Sequence, residues 1–518
     1  MPQMIFKCKN KICFKLLAGF LLLAVLMSGT TQMSVALAET DDAIVLRIAN
    51  WEEYIDQGDW GEDEEVNLDG EKITSENGLV SDFEEWYFNT YGKQVKVEYS
   101  TFGTNEDLYS KLILGETYDI VCPSEYMFSK LLKEDLLESL SEDFFDSSNE
   151  YNYYTKGVAP FIKKIFDRNK IDGKSWSAYA AGYMWGTMGI VYNPEKVSEE
   201  DVSSWDILVN PKYAKRVTIK DSVRESYFPA MAILNRDLLL TKQFRDSKDY
   251  SEKLEKAMND TSPEAIEKVE DLLQRIRQNV YSFETDSGKS DMITGKIVAN
   301  LQWSGDGAYA MEQAEEDGYY LNYSVPKECT NIWMDGWVML KSGINGNNDR
   351  KKAAEAFINF ISKPDNAIRN MNYIGYTSSI SGGNNPLIYE YIKWKFGAED
   401  EADAVEYPLG YFFSGDNADK EYILKTTEDN AKRLLFVQYP PKEIIDRSAV
   451  MGYMPDDVSK QLNRMWINVR CFNFDQVPGK VWLRALAIIC LMLLLIMVWI
   501  YRNRIFRKPI KAGYKRVG

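Results

Sequence analysis

Residues 94–140 read QVKVEYSTFGTNEDLYSKLILGETYDIVCPSEYMFSKLLKEDLLESL, and the alternation inside this stretch decides the fold. Val95, Val97 and Tyr99 alternate with Lys96, Glu98 and Ser100, the period-two pattern of a half-buried strand. NEDLYSKLILG (105–115) then reads as a helix, YDIVCPS (118–124) as a second strand, and EYMFSKLLKEDLLESL (125–140) as a second helix. Strands that alternate with helices in this way imply parallel sheet with helices on its faces, an α/β class of fold.

The same alternation extends outward. IVLRIANW (44–51) reads as a short strand and VSDFEEWYFNTYG (80–92) as a helix ending at Gly92. Further on, SPEAIEKVEDLLQRIRQNV (262–280) opens with Ser262 as N-cap and Pro263 at the first helical position. DRKKAAEAFINFISKPDN (349–366) is a helix stopped by Pro364. QGDWGEDEEVNLDGEKITSENG (57–78) has turn residues and acids without apolar periodicity, and reads as a surface insertion. The chain between its two apolar ends, about 445 residues, exceeds what one core organises, so two domains are expected.

In open α/β sheets, ligands bind beyond the carboxyl ends of the strands. The residues that follow these strands are Asn50-Trp51-Glu52-Glu53-Tyr54, Ser124-Glu125-Tyr126, Asp221-Ser222-Val223-Arg224-Glu225 and Trp303-Ser304-Gly305-Asp306. Three of the four carry an aromatic ring beside a carboxylate. TNIWMDGW (330–337) repeats the combination, with Asp335 between Trp333 and Trp337. Trp333 and Asp335 are two apart and so share a face on a strand. A flat π-system beside a negative charge suits a ligand that is both greasy and positively charged.

The chain's ends predict export and anchorage. Lys7, Lys9, Lys11 and Lys15 precede an apolar run, and Ala36-Leu37-Ala38 supplies small residues for cleavage, the layout of a secretory leader over 1–38. At the other end, residues 481–501 just reach the length that spans a bilayer, with Trp482, Trp499 and Tyr501 at the edges. Seven basic residues and no acid follow in 502–518, which puts that tail in the cytoplasm and the preceding domain outside. Residues 39–483 carry about 29 more acids than bases by this count, a field that disfavours nucleic acid and attracts cations. Cys122, Cys329 and Cys471 are too few and scattered for a disulfide framework. The chain contains no histidine, which removes Ser-His-Asp and Cys-His nucleophile pairs and most catalytic zinc sites. SGKS (287–290) resembles the end of a phosphate-binding loop, but Phe283 stands where its first glycine is required.

IANWEEYID, YDIVCPSEYM, IKDSVRES, LQWSGDGAY, IWMDGW and NYIGYTS occur in this order from about Leu46 to Arg470. This succession resembles the periplasmic spermidine/putrescine-binding proteins, the capturing subunits of ABC polyamine importers. The resemblance implies a two-lobed, type II periplasmic-binding-protein fold with a ligand cleft between the lobes, here followed by a C-terminal transmembrane helix. Lobe 1 is expected over 39–185 and 334–384, lobe 2 over 186–333 and 385–470, and a linker over 471–480. It implies ligand-binding residues Trp51, Glu52, Tyr54, Ser124, Tyr126, Asp221, Glu225, Trp303, Trp333, Asp335, Tyr376 and Gln438. No cofactor, metal or catalytic residue is implied; the partners are a polyamine, an ABC permease with its ATPase, and the membrane. Glu52 and the 57–78 insertion depart from the family's usual pattern. Paired tyrosines at 153–154 and 319–320 are also seen in ferric-iron-binding relatives of this fold, but neither pair follows the strand-and-cleft pattern.

Structural roles compete for several of these positions. Ser124 suits a helix N-cap, Ser222 to Glu225 suits a capping box, and Trp51 and Tyr54 suit a core. Two other functions also use such residues: a sensory ectodomain of the same fold, and a carbohydrate-active enzyme with paired carboxylates.

Overall fold

The structure is a computed structural model that describes residues 43–471 apart from Asp63 and Asp69, together with Leu486 and residues 491–499. The expected leader, most of the linker, the tail and most of the expected span lie outside the described residues. Residues 491–499 are helical with exposed side chains. Among the described residues no helix is long and apolar enough to cross a membrane.

One sheet runs through the protein. Its main path has eight strands, β1 (Ile44–Trp51), β2 (Val95–Phe102), β3 (Ile120–Val121), β4 (Ala180–Tyr192), β5 (Val217–Lys220), β6 (Ser282–Glu284), β7 (Ala299–Trp303) and β8 (Thr330–Leu340), in the spatial order β6-β5-β7-β4-β8-β3-β1-β2, and four short strands pair with β4 or β8 beside it. β1 pairs in parallel with β2 and β3, and β5 with β6 and β7. Between these two parallel groups run β4 and β8, antiparallel to each other and buried along their whole length. Strands covered on both faces read as continuous apolar runs, as AAGYMWGTMGIVY in β4 does.

These two long strands carry the chain from one hydrophobic core to another. Residues of β4 up to Trp185 belong to a first core with Leu46, Ile48 and Phe102, whereas Met188 and Ile190 belong to a second with Trp205, Tyr213 and Leu272. The chain through β8 does the same in reverse, with Cys329, just before the strand, in the second core and Ile332 in the first. A two-lobed α/β architecture follows directly. The expected assignment of 385–470 to lobe 2 is corrected in part. Tyr391, Ile392, Phe396 and Phe412 pack in the first core, with Phe412 stacked 5.6 Å from Trp185, and the second core takes up the chain at Ala449. That third crossing is made by a short helix (Lys442–Asp446) and the two-residue strand Ser448–Ala449, which pairs with β8.

Local signals explain several of the helices. The helix Pro263–Asn279 has the expected cap, with Ser262 accepting from the Ala265 amide. Pro364 ends one helix (Asn348–Ile361) and opens the next (Pro364–Ile374) at its first position, where the missing N–H costs nothing. The helix expected over 125–140 stops at Lys133 instead. Asp135 takes a left-handed conformation, and Leu137–Glu138 pairs with β8, so tertiary pairing overrides helical periodicity. The 57–78 insertion contains a hairpin (Val66–Leu68 with Glu71–Ile73). Arg369 ties it down by donating to the buried Asp56 carboxylate, to Ser75 and to the Asn77 carbonyl.

Candidate ligand cleft

Asp335 lies in β8, where an isolated bridge joins it to Ser124. The ladder between β8 and β4 shifts register between Met334 and Gly336, an irregularity of the kind that re-aims a side chain. Pro123–Glu125, which follows β3, fills the place. The Gly336 amide donates to the Pro123 carbonyl (3.1 Å) and the Met334 amide to the Glu125 carboxylate (3.1 Å). Ser124 donates to Asp335 Oδ1 at 2.7 Å, and the Tyr54 hydroxyl to Oδ2 at 2.8 Å. Both donors are neutral. Burial pushes the Asp335 carboxyl up to about 6, against the pull of these two hydrogen bonds.

Aromatic rings wall this acid. Tyr54 stands edge-on to Tyr376 (5.4 Å), which in turn stands edge-on to Trp333 (5.5 Å), and the Tyr376 hydroxyl donates to Asp306 at 2.9 Å. Close approach demands glycine at two points: a Cβ on Gly186 would overlap Ser304 and the Trp333 ring, and one on Gly305 the Tyr376 ring. Trp51 packs against Phe102 at 4.9 Å, and its indole N–H is buried without a partner. Gln438 donates to the Gly375 carbonyl, next to Tyr376.

The second lobe contributes the segment 220–225. Ser222 makes no side-chain cap on the helix Val223–Leu234, and Glu225 Oε2 is buried without a hydrogen bond, so the capping-box alternative does not form. Burial pushes Glu225 up to about 7, with the Glu106 charge adding to the effect and Arg224 and Lys220 opposing it. Arg224 lies 4.3 Å over the Tyr126 ring, and Lys220 lies 4.2 Å over the ring of Trp303. Tyr126 packs against both cores and accepts from Asn105 at 2.9 Å.

The fold therefore brings Tyr54, Ser124, Trp333, Asp335 and Tyr376 into one cluster, with Gln438 behind it. Tyr126, Glu225 and Trp303 sit against the chain's own cations. Two expected residues stand apart from the cluster: Asp221 is ion-paired with Arg470 of the last helix, and Glu52 is exposed on a turn. Ser124 serves Asp335 rather than capping its helix. Sequence reasoning passed over Asn105 and Glu106, Glu125, Lys220, Arg224 and Asp306. The carboxyl-end rule reaches Glu125, Arg224 and Asp306 without giving them a role, while Asn105, Glu106 and Lys220, at or just beyond strand ends, lie outside the segments it selects. The SGKS turn holds no phosphate loop, since the Gly288 amide is taken by the Glu284 carboxylate at 2.7 Å.

Residues 78–385 match the family of bacterial extracellular solute-binding proteins, and the chain belongs to that family. Among curated relatives it is 27% identical to the spermidine/putrescine-binding periplasmic protein of Escherichia coli, over 68% of this chain and 82% of that protein. It is 25% identical to the putrescine-binding periplasmic protein SpuD of Pseudomonas aeruginosa, over 72% of this chain and 88% of that one. Its fold is similar to that of the spermidine/putrescine ABC transporter substrate-binding protein PotD from Streptococcus pneumoniae (TM-score 0.53, 24% identity, 83% of this chain and 99% of that one). It is also similar to a putative spermidine/putrescine ABC transporter from Listeria monocytogenes (TM-score 0.54, 22% identity, 83% and 99%). Membership of a solute-binding family bears out the expectation of a protein that captures its ligand without transforming it.

Proposed function

We propose that this chain is the capturing subunit of an ABC importer for polyamines of the spermidine/putrescine type, and that its ligand lies between the lobes against Asp335. The observation that carries this reading is a buried carboxylate held by two neutral hydroxyls and walled by Tyr54, Trp333 and Tyr376. Burying an acid without a cation costs free energy, and an ammonium supplies the missing charge through a charge-assisted hydrogen bond. The rings pack the methylene chain and attract the ammonium, at about 0.5 to 2 kcal/mol for each well-placed contact. The 27% identical relatives named for spermidine and putrescine support the same ligand class. Ligand contacts to both lobes favour the closed state, with β4 and β8 as the crossing strands, and a closed protein is what a permease receives. Calorimetric titration with putrescine, spermidine and spermine tests the reading; absence of heat with all three overturns it.

The leader over 1–38 and the basic tail support an exported domain held at the membrane by residues 481–501, with the C-terminus in the cytoplasm. Every cleft residue precedes the anchor. A chain ending at Pro478 is therefore expected to leave the membrane fraction on cell disruption and to bind ligand as the full chain does. Fractionation with immunoblotting checks this: a truncated chain that remains in the membrane pellet after leader cleavage contradicts the anchor.

A further inference from the structure

Glu125 belongs to neither the predicted set nor the aromatic wall, yet it is 1% exposed and adjoins Asp335 through the exchange of bonds between Pro123–Glu125 and Met334–Gly336. Its hydrogen-bond partner is a backbone amide, and among the described residues neither Glu125 nor Asp335 has an ion pair. The charged groups around it do not balance. Arg224, from the helix Val223–Leu234, is the cation that faces Glu125, and it also faces Glu225 on its own helix and Glu106 from the opposite lobe. Its own hydrogen bond goes to the Gly452 carbonyl. Lys220, the next cation, is held over Trp303 by the Thr285 carbonyl and by Glu284. Tyr54, Tyr183, Tyr376 and Cys122, the other titratable groups near Asp335, bring no positive charge. One shared guanidinium thus faces the buried Glu125, the half-buried Glu225 and the exposed Glu106, with the buried Asp335 adjoining, and a buried acid so short of positive charge retains its proton.

We infer that Glu125 holds a proton beside Asp335 in the ligand-free protein, and that capture of an ammonium ligand drives this proton into solvent. Glu125 is then a positioning residue: its carboxyl keeps the Met334 amide and so the Asp335 bulge in place, and its charge appears only when a cation arrives to balance it. The step needs no co-reactant. The O–H bond breaks, its electron pair stays on the carboxylate, and the proton passes to buffer. This inference rests on the cationic-ligand reading above. Burial pushes the Glu125 carboxyl up to about 8, above Asp335 and Glu225, and this ordering supplies the test.

The experiment is titration of the full chain with putrescine in buffers of different ionisation enthalpy, at about pH 6.5 and about pH 8. Putrescine keeps its protons at both values, as a primary amine does. The slope of observed heat against buffer enthalpy counts protons released. For the wild type we expect about half a proton per ligand at about pH 8, where Asp335 and Glu225 are already ionised. In Glu125→Gln, which keeps an acceptor for the Met334 amide, release at about pH 8 should fall below about 0.1 while release at about pH 6.5 persists. Wild-type heat independent of buffer at about pH 8, or equal release in the variant, overturns the inference alone. Should the variant fail to fold, the wild-type series still decides. Absence of heat in every buffer, with circular dichroism intact, removes the polyamine reading and this inference together.

Discussion

Asp335→Asn is expected to weaken putrescine binding by about 1.5 to 3 kcal/mol, roughly ten- to 150-fold, through loss of one charge-assisted contact. The substitution isolates charge from shape. Asparagine keeps one acceptor, and its amide can face either the Ser124 or the Tyr54 hydroxyl, which turns to accept. The fold should therefore survive, and a thermal melt verifies that before affinities are compared. The wild type should also carry a pH signature that the variant lacks. With the ligand-free carboxyl pushed up to about 6, the part of wild-type affinity that depends on Asp335 holds above that value and declines as pH falls through it, because protonation removes the charge the ammonium needs. The variant has no such group at position 335 and should lose that component. An affinity within twofold of wild type, measured calorimetrically at neutral pH, would remove Asp335 from the site.

Ornithine should bind at least about 100-fold more weakly than putrescine, although the two differ only by a carboxylate. At about 5 Å and an effective dielectric of about 20, two like charges repel by about 3 kcal/mol. Among the described residues Asp335 has no ion pair and Glu225 only the shared Arg224 and Lys220 beside it, whereas Asp306 is paired with Lys289 at 3.4 Å. Lys289 is shared between Asp286 and Asp306, and the other two cations beside these residues are Lys220 and Arg224. Lys220 is occupied by Glu284 at 3.5 Å and by the Thr285 carbonyl at 3.0 Å, and is 1% exposed. Arg224 is committed to the Gly452 carbonyl and to the acids around it. Neither is free to receive a ligand carboxylate without breaking an existing contact, and rejection by unpaired like charge is the device that gives selectivity. Competition against bound putrescine decides the matter. Displacement by ornithine at comparable concentration means that one of these cations has released its partner, and the cation-cleft mechanism falls.

The pattern of residues 94–140 was enough to establish α/β alternation, because period two and period 3.6 report directly which faces of a strand or helix are buried. The carboxyl-end rule then led to Trp51, Tyr54, Ser124, Tyr126 and Trp303, and the acid between two tryptophans led to Asp335. Those readings concern local chain and local burial. What the sequence left undetermined is how charges pair across space. Tyr54 and Asp335 meet from 281 positions apart, and Ser124 and Asp335 from 211. Asp221 carries the same local credentials as Asp335, yet the last helix brings Arg470 to it, while Asp335 receives only hydroxyls. Glu125 looked like the first residue of a helix, and only the bulge in β8 shows that its carboxylate is fastened to the strand that carries Asp335. A residue's own neighbours in sequence state whether it is buried; whether a buried charge is balanced depends on which distant segments the fold stacks beside it, and that the tertiary structure alone decides.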